Sequence, residues 1–482
     1  MTVIAPRWRV LSSLFAGLLA MTTLQVEALE LPPTVTELMT RHKLPSDGLS
    51  LYVQAVDEKQ PLMALNDDEP RNPASVMKLI TTLGALHGLG PAYRFKTEVW
   101  LDGELDDDGR LAGNLYLKGY GDPFLVTESF WRLLKDLRES GLQRIDGDLI
   151  LDGSYFSTPA HDPARFDNRP NRAYNVGPNA LLVNFNAIRF KLYVQPRVDR
   201  LRIVADPALD NLTIVNEARL VKGRCTRAAQ RRLALEVLSS GPHPKIAFTG
   251  SYPASCEYSE QLRSVVEPVS YVHGVFSNLW AQLGGTFNGR TRAGEVPESA
   301  RLHHRTLSLP LSQLMHYMNK YSNNVMTRNL LLTLGAERYG APGTLGKGRR
   351  AIQEWLAGHG MKASDLFLDN GSGLSRRGRV SARTLGRMLL LAHESDFMPE
   401  FVASLPLAAL DGTLRRRFRE TDLGGKLHMK TGLLNDVRSI AGYMRNRKGQ
   451  TLVVVMLHNH PGVEQFIGTK VQDALLEWLF EQ

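Results

Sequence analysis

The chain has 482 residues and a formal charge of +9, with 43% hydrophobic and 22% charged residues. This composition excludes a wholly disordered or fibrous chain. No apolar run of about 18 residues occurs past the N-terminus, which excludes a polytopic membrane protein. The basic balance favours anionic surroundings (nucleic acid, anionic lipid or an anionic polymer), although a solvated basic surface has the same composition. At about 100–200 residues per domain, the length predicts two to four domains.

The N-terminus predicts export. Arg7 and Arg9 form a positive region, residues 10–24 are mostly apolar and uncharged, and residues 26–28 fit a small-residue cleavage site. An uncleaved membrane anchor is the alternative, but the apolar stretch is short for a span. We predict a signal peptide over residues 1–28, cleaved near Ala28, and a periplasmic location. The mature chain then carries +8.

Export bears on the two cysteines, Cys225 and Cys256, which are the only ones in the chain. An oxidising compartment allows them to form one disulfide, and two buried free thiols are the alternative. Two cysteines cannot make a structural zinc site alone, and no histidine stands beside either at ligand spacing. The sequence therefore predicts a disulfide and no metal.

Hydrophobic periodicity divides the chain into three parts. In residues 29–92, apolar and polar residues alternate over 49–55, which predicts a strand, and the pattern over 73–89 predicts a helix. Residues 93–267 contain short alternating runs separated by turn residues, which is typical of a β-rich segment, with one helix near 128–140. Residues 268–482 return to helical periodicity, with a long helical run over 311–334 and an apolar strand over 452–457. We predict one catalytic domain in two pieces, 29–92 and 268–482, interrupted by a β-rich insertion over 93–267.

Other motifs do not carry a function. Residues 340–347 have the wrong spacing for a phosphate loop. His458 and His460 could suggest a metal site, but two histidines at a strand end are more often structural. The basic clusters at 376–379 and 415–417 lack interleaved aromatic residues, so we predict no nucleic-acid binding.

The segment 72–78 carries the first chemical signal. Asn72 is a good helix N-cap and a proline follows it, so Ser75 is expected in the first helical turn, where backbone N–H groups point. Lys78 is three residues later and shares a face with Ser75. A serine hydroxyl needs a base to become a nucleophile, and a lysine can be that base when burial or a nearby cation lowers its pKa. Alone, this S-x-x-K pattern is weak.

Two further motifs follow in order. Ser322 and Asn324 form an S-x-N triplet ahead of an apolar run, and Lys430 opens a K-T-G triplet at a predicted strand end. The set resembles that of the serine penicillin-interacting enzymes. An alternative register makes Tyr321 the first residue of a Y-x-N motif. We prefer Ser322 because Lys320, two residues earlier, also fits the carboxypeptidase pattern.

Flanking residues narrow the resemblance to the class C low-molecular-mass penicillin-binding proteins, the D-alanyl-D-alanine carboxypeptidase/endopeptidase group of penicillin-binding protein 4 type. It covers most of the mature chain and rests on the segments 73–79, 93–95, 119–123, 369–376, 411–414 and 441–443. The family implies a mixed α/β (α+β) serine β-lactamase/transpeptidase-like catalytic domain, with an antiparallel sheet flanked by helices. It also implies two nested domains inserted between the first and second motifs, in agreement with the predicted insertion.

The resemblance also implies roles. Ser75 attacks the carbonyl between two D-alanines of a peptidoglycan stem peptide, and Lys78 is its base. Ser322 relays a proton to the leaving amine, and Asn324 holds Lys78 and the substrate amide. For Ser372 and Ser375, which lie outside these motifs, we expect a loop-shaping role rather than a catalytic one.

The K-T-G motif is expected to bind the substrate. Lys430 adds positive potential, and with Thr431 it holds the terminal carboxylate beside Gly432. The N–H groups of Ser75 and Leu433 form the oxyanion hole. Leu433 is a departure, because the family often has threonine there; leucine is tolerable if the position supplies only its N–H.

The resemblance requires no cofactor and implies that β-lactams acylate Ser75. The predicted partners are peptidoglycan stem peptides and β-lactams, with peripheral association with the cell wall or membrane. Two alternatives remain. A β-lactamase is one, although the chain lacks the E-x-x-L-N segment that supplies a class A deacylating glutamate. The other is a non-catalytic murein-binding or assembly protein, which would not need Ser75, Lys78, Ser322 and Lys430 together.

Overall fold

A computed structural model gives the fold and describes residues 2, 30–361 and 364–482. The predicted signal peptide lies outside these residues, apart from residue 2. Eleven α-helices occur in the described part of the chain: α1 Pro33–Arg41, α2 Lys78–Leu89, α3 Thr127–Glu139, α4 Arg227–Gln230, α5 Pro268–Gln282, α6 Leu311–Lys320, α7 Asn324–Tyr339, α8 Leu345–Gly358, α9 Ala382–Glu394, α10 Met398–Ala403 and α11 Phe466–Glu481.

Strands occupy both ends of the chain and most of the middle. In the same described residues they are β1 Leu49–Ala55, β2 Met63–Leu65, β3 Lys96–Leu105, β4 Arg110–Gly119, β5 Asp122–Leu125, β6 Arg144–Ile145, β7 Leu149–Asp152, β8 Leu181–Val183, β9 Ile188–Gln195, β10 Arg200–Asp206, β11 Thr213–Asn216, β12 Arg219–Val221, β13 Leu233–Ser239, β14 Lys245–Pro253, β15 Tyr258–Arg263, β16 Thr286–Phe287, β17 Thr291–Ala293, β18 Arg301–Leu307, β19 Leu427–Leu434, β20 Val437–Arg445 and β21 Thr451–Asn459.

A five-stranded sheet joins the two ends of the chain. Its order is β19-β20-β21-β1-β2, and every neighbouring pair is antiparallel. Leu51 of β1 lies opposite Met456 of β21, about 400 residues away in sequence. Helices cover this sheet, so the predicted fold class, an antiparallel sheet flanked by helices, is confirmed.

Both faces of this sheet are buried. In β21, Val453 and Val455 pack into a core shared with α2, α6, α7, α8 and α9. Val454 and Met456 point to the other face and pack with α1 and α11. Because successive strand residues point to opposite faces, a strand buried on both sides needs apolar residues at every position. This explains the uninterrupted apolar run over residues 452–457.

The middle of the chain forms a second core around four further sheets. These are the sheet β16-β6-β4-β3-β18 with β7 and β17, the sheet β10-β9-β15, the sheet β11-β14-β12 with β13, and the pair β5-β8. Their apolar residues pack with α3 and α5 in one cluster that is separate from the cores of the five-stranded sheet.

The second core extends beyond residue 267, the predicted end of the insertion. Val275 and Phe276 of α5 are buried in it. Strands β16, β17 and β18 pair with β6, β7 and β3, so that Arg301 lies opposite Leu101. Residues 268–307 therefore pack with the inserted part rather than with the five-stranded sheet, which favours a boundary near residue 308.

Cys225 and Cys256 are joined by a disulfide, as predicted. It links the start of α4 to the turn after β14. Among the described residues, no helix combines the length and the apolar character that a membrane crossing requires.

Candidate active site

The segment that carries Ser75 is a tight turn at the start of α2. Residues Ala74–Met77 form a 3₁₀-helix, and the α-helix begins at Lys78, so the predicted α-helical first turn is instead 3₁₀. The Asn72 side chain accepts a hydrogen bond of 2.9 Å from the Ala74 N–H. Ala74 has a φ of +48°, an unfavourable conformation for a residue with a Cβ. The backbone is thus held in an uncommon shape directly before Ser75.

Two glycines allow other segments to approach this turn. A Cβ on Gly373, whose φ is +76°, would lie 1.9 Å from the Ala74 carbonyl oxygen. A Cβ on Gly432 of β19 would lie 2.5 Å from the Pro73 carbonyl oxygen. Since any larger residue would displace the backbone here, these glycines let β19 and the 371–374 loop contact the Ser75 turn.

Asn459, at the end of β21, also holds this turn. Its Oδ1 accepts a hydrogen bond of 2.8 Å from the Asn72 N–H, and its Nδ2 donates one of 3.0 Å to the Asn72 carbonyl. In the triplet 458–460, the sequence drew attention only to the two histidines, as a possible metal site. The structure shows that the asparagine between them is the residue that touches the site.

Lys78 lies at the centre of the site and is fully buried. Its Nζ donates to Ser75 Oγ at 3.1 Å and to Asn324 Oδ1 at 2.7 Å, and it also contacts the Ser372 carbonyl oxygen. Burial is the largest cause that lowers the pKa of Lys78 well below its ordinary value, and the positive charge of Lys430 adds to it. A neutral Lys78 can accept a proton from Ser75.

The second and third motifs meet on the other side of the site. Lys430 is fully buried in β19, and its Nζ donates to Ser322 Oγ at 2.9 Å and to the Thr431 carbonyl at 2.7 Å. Burial lowers the pKa of Lys430 to about 7. Ser322 has a φ of +57° and lies in the break between α6 and α7, where a single helix was predicted over 311–334. Asn323 caps α7 by accepting the Met326 N–H, which turns Asn324 towards Lys78.

The alternative Y-x-N register has no counterpart in these contacts. Tyr321 is 63% exposed, and its ring lies against that of Tyr317 rather than in the site. Ser322 and Asn324 are the residues of this segment that touch the two buried lysines.

Residues 174–176, in the predicted insertion, contact the N-terminal half of α7. Asn324 Nδ2 donates to the Tyr174 carbonyl at 3.1 Å, and Arg328 Nη1 donates to the Val176 carbonyl at 2.5 Å. Burial lowers the pKa of Arg328 to about 10. Arg328 also adds positive charge near Lys78 and helps to lower its pKa. Arg328 could have been predicted near the site from the sequence, because it lies four residues after Asn324 and therefore on the same face of the helix.

The exposed edge of the site is formed by the strand residues after Lys430. Thr431 Oγ1 donates to Thr413 Oγ1 at 2.8 Å, and Thr413 is itself exposed. The Leu433 side chain is 53% exposed and lies outside the buried hydrogen-bond network around Lys78 and Lys430. Thr413 lies in the segment 411–414, which contributes to the family resemblance and for which the sequence predicted no role.

An ion pair holds that segment. Lys320, at the end of α6, donates to Asp411 Oδ2 at 2.6 Å. Asp411 Oδ1 in turn accepts the Leu407 N–H at 2.8 Å. The ion pair between Lys320 and Asp411 therefore joins the segment that contains Ser322 to the segment that contains Thr413.

The 371–375 loop has the shaping role predicted for it. Ser372 Oγ donates to Asn370 Oδ1 at 2.9 Å, and Ser375 Oγ donates to Asp369 Oδ2 at 2.8 Å, so both hydroxyls are used inside the loop. Only the Ser372 carbonyl reaches Lys78.

A model of the D-Ala-D-Ala carboxypeptidase 3 (S13) family matches residues 32–482. The chain belongs to this family. The resemblance predicted from the three motifs is therefore confirmed. The chain is 30% identical over 422 residues to a D-alanyl-D-alanine carboxypeptidase of Actinomadura sp. (strain R39). These residues span 85% of this chain and 77% of the relative. The D-alanyl-D-alanine carboxypeptidase DacB of Haemophilus influenzae is 25% identical over 422 residues, or 86% of each chain.

The fold of this S13 family member is similar to the crystal structure of penicillin binding protein 4 (dacB) from Haemophilus influenzae. The TM-score is 0.77 at 24% identity, and the match covers 93% of this chain and 99% of that one. That protein has also been solved in complex with a β-lactam. The likeness shows the fold.

Proposed function

We propose that the chain is a serine D-alanyl-D-alanine carboxypeptidase and/or DD-endopeptidase that acts on peptidoglycan stem peptides through an acyl-enzyme on Ser75. The observation that carries this proposal is the hydrogen bond of 3.1 Å between Ser75 Oγ and the Nζ of Lys78, a fully buried lysine with a lowered pKa. Membership of the S13 family supports the substrate class.

The first half of the reaction forms the acyl-enzyme. Ser75 Oγ attacks the carbonyl carbon between the two D-alanines while its proton passes to neutral Lys78. The N–H groups of Ser75 and Leu433 receive the developing negative charge, each donor contributing about 3–4 kcal/mol in other enzymes. The C–N bond then breaks as the proton held by Lys78 passes by way of Ser322, which is hydrogen-bonded to Lys430, to the leaving amine. Water then attacks the ester carbonyl, one of its protons returns to Ser75 Oγ, and the ester C–O bond breaks to release the free acid and Ser75.

The other site residues bind the substrate. Lys430 and Thr431 hold the terminal carboxylate, beside Gly432, and Asn324 holds Lys78 and the substrate amide. We add Thr413 to this set, because its exposed hydroxyl lies 2.8 Å from that of Thr431. A β-lactam with a carboxylate uses the same contacts and leaves Ser75 acylated.

We infer that the chain is exported, with residues 1–28 as its signal peptide, and works in the periplasm in peripheral contact with the cell wall. The disulfide supports an oxidising compartment. We further propose that the catalytic domain consists of 29–92 and the residues from about 308 to 482. This division amends the predicted 268–482, because residues 268–307 pair with the insertion.

The test is incubation with fluorescent penicillin, followed by mass spectrometry of the labelled peptide and a D-alanine release assay. We expect one label on Ser75, D-alanine release from a pentapeptide, and neither with Ser75→Ala at unchanged thermal stability. Label on another residue would refute the assignment. A chromogenic β-lactam separates the alternative enzyme class, since rapid multiple turnover is the property of a β-lactamase. A folded parent chain that takes no label and releases no D-alanine would favour a non-catalytic protein.

A further inference from the structure

Residues 219–232, which we call the basic segment, form a basic cluster outside the active site. Six of the fourteen are Arg or Lys and none is Asp or Glu: Arg219, Lys222, Arg224, Arg227, Arg231 and Arg232. All six side chains are exposed. None of them forms an ion pair with a described residue. Cations on the neighbouring strand β9 behave differently, because Arg189 pairs with Glu260 and Lys191 with Asp206.

The fold gathers the basic segment at one end of the β14 sheet. Arg219 of β12 lies opposite Ser251, and Leu233 of β13 lies opposite Gly250, so the two ends of the segment flank the same point of β14. Between them, the disulfide ties the segment to the turn after β14, and Ser255 Oγ donates to the Gly223 carbonyl at 2.6 Å. The charges are thus fixed on a folded edge rather than on a loose tail.

An edge with six unpaired cations attracts a polyanion. Five of the six are arginines, whose guanidinium groups can bind a carboxylate with two parallel hydrogen bonds. Segments that lie in a membrane interface combine basic residues with exposed Trp, Phe or Leu. The basic segment, described in full by the structure, has no exposed large hydrophobic side chain. Its composition therefore favours a hydrated polymer of carboxylates over a lipid surface.

We propose that the basic segment is a second contact with peptidoglycan, binding stem-peptide carboxylates away from the active site. This inference rests on the proposed function, because each substrate peptide of a D-Ala-D-Ala carboxypeptidase ends in a free carboxylate and the wall polymer presents many of them. The contact holds the enzyme on the polymer and leaves the cleavage of small soluble peptides unaffected.

The test compares two triple variants that lose the same charge. R224Q/R227Q/R231Q removes cations from the basic segment, and R41Q/K59Q/K448Q removes three exposed, dispersed cations elsewhere. Binding to purified insoluble peptidoglycan is measured by co-sedimentation at about 0.1 M salt and at 1 M salt. An exposed ion pair contributes about two- to fivefold in affinity, so we expect the first variant to bind on the order of tenfold more weakly. We expect the control to stay within about twofold of the parent.

Several results would overturn the proposal. Equal weakening of both variants would assign binding to net charge alone. Parent binding that survives 1 M salt, or no binding at 0.1 M salt, would exclude the electrostatic contact. A further contrary result is a parent that sediments with vesicles of anionic phospholipid and not with peptidoglycan. If R224Q/R227Q/R231Q lost that sedimentation, the basic segment would be assigned to a membrane surface.

Two further measurements separate this proposal from the proposed function. Ser75→Ala should still bind peptidoglycan while losing penicillin label, because the basic segment acts without chemistry. Both triple variants should release D-alanine from a soluble pentapeptide at the parent's rate. A parent that releases none would refute the proposed function whether or not it sediments with peptidoglycan.

Discussion

Asn324→Asp replaces the neutral acceptor of Lys78 with a charged one of nearly the same shape. The new carboxylate would lie about where Asn324 Oδ1 lies now, 2.7 Å from Lys78 Nζ. At an effective dielectric constant of about 20, opposite charges about 4 Å apart attract by about 4 kcal/mol. This corresponds to about 3 pKa units, and it raises the pKa of Lys78 because it favours the protonated form. Below both pKa values, the fraction of neutral Lys78 falls about a thousandfold.

The assay is the second-order rate constant of acylation by a fluorescent penicillin, from about pH 5 to about pH 10. The rate of the parent rises with pH as Lys78 loses its proton, so the Asn324→Asp curve should rise about three pH units later. Asn323→Asp is the matched control. It adds the same charge one residue away, keeps the acceptor that caps α7, and makes no bond to Lys78. Coincident curves for Asn324→Asp and the parent, or an equal shift in Asn323→Asp, would refute Lys78 as the base tuned by Asn324.

Further outcomes follow from the same contacts. The pKa of Lys430 is about 7 in the folded state and about 10.4 when unfolded, so the unfolding free energy of the parent should rise with pH between those values. Lys430→Met should show a smaller rise, because Lys78, whose pKa is also lowered, still contributes to it. This variant should be more stable below pH 7 by up to about 5 kcal/mol, as urea titrations at pH 6 and 9 would measure. Lys430→Arg should remove an alkaline limb of kcat/KM near pH 7, because guanidinium stays charged, and should raise KM because its fork geometry differs. Gly373→Ala should reduce penicillin labelling at least tenfold, because its Cβ would collide with Ala74 and shift Ser75; equal labelling of a folded variant would contradict the close approach. Reduction of the disulfide, with a sequence separation of 31, should cost about 4 kcal/mol, and an unchanged urea midpoint after reduction would contradict this.

Short-range chemistry made much of the site predictable. Ser75 and Lys78 are three residues apart, so any helical turn brings them together, and the structure has a 3.1 Å hydrogen bond there. The motifs around Ser322 and Lys430 entered through the family resemblance, and their side chains lie 2.9 Å apart. The antiparallel sheet was predictable in class because alternating and continuous apolar runs mark half-buried and fully buried strands.

The remaining features depend on contacts that no local pattern encodes. Ala74 has a positive φ, in a turn that Gly373 and Gly432, both distant in sequence, approach closely. The packing of α5 in the second core could not be predicted, because the periodicity of a helix does not say which core its apolar face meets. The pairing of β18 with β3, about 200 residues earlier, also has no local signal.

No carboxylate of the described residues forms a hydrogen bond with the buried cations Lys78, Lys430 or Arg328, whose acceptors are all neutral. Lys78 donates to a serine, an asparagine and a carbonyl; Lys430 donates to a serine and a carbonyl; Arg328 donates to a carbonyl. Burying a cation without an acid partner destabilises the fold, and the lowered pKa values of all three groups express that cost. An acid here would restore stability, but it would hold the proton on Lys78 and cancel the positive potential that, in the proposed mechanism, meets the substrate carboxylate. Neutral oxygen acceptors satisfy the hydrogen bonds and leave Lys78 able to lose its proton, as the proposed role of base requires. In that mechanism the loss of stability and the catalytic competence have the same physical origin.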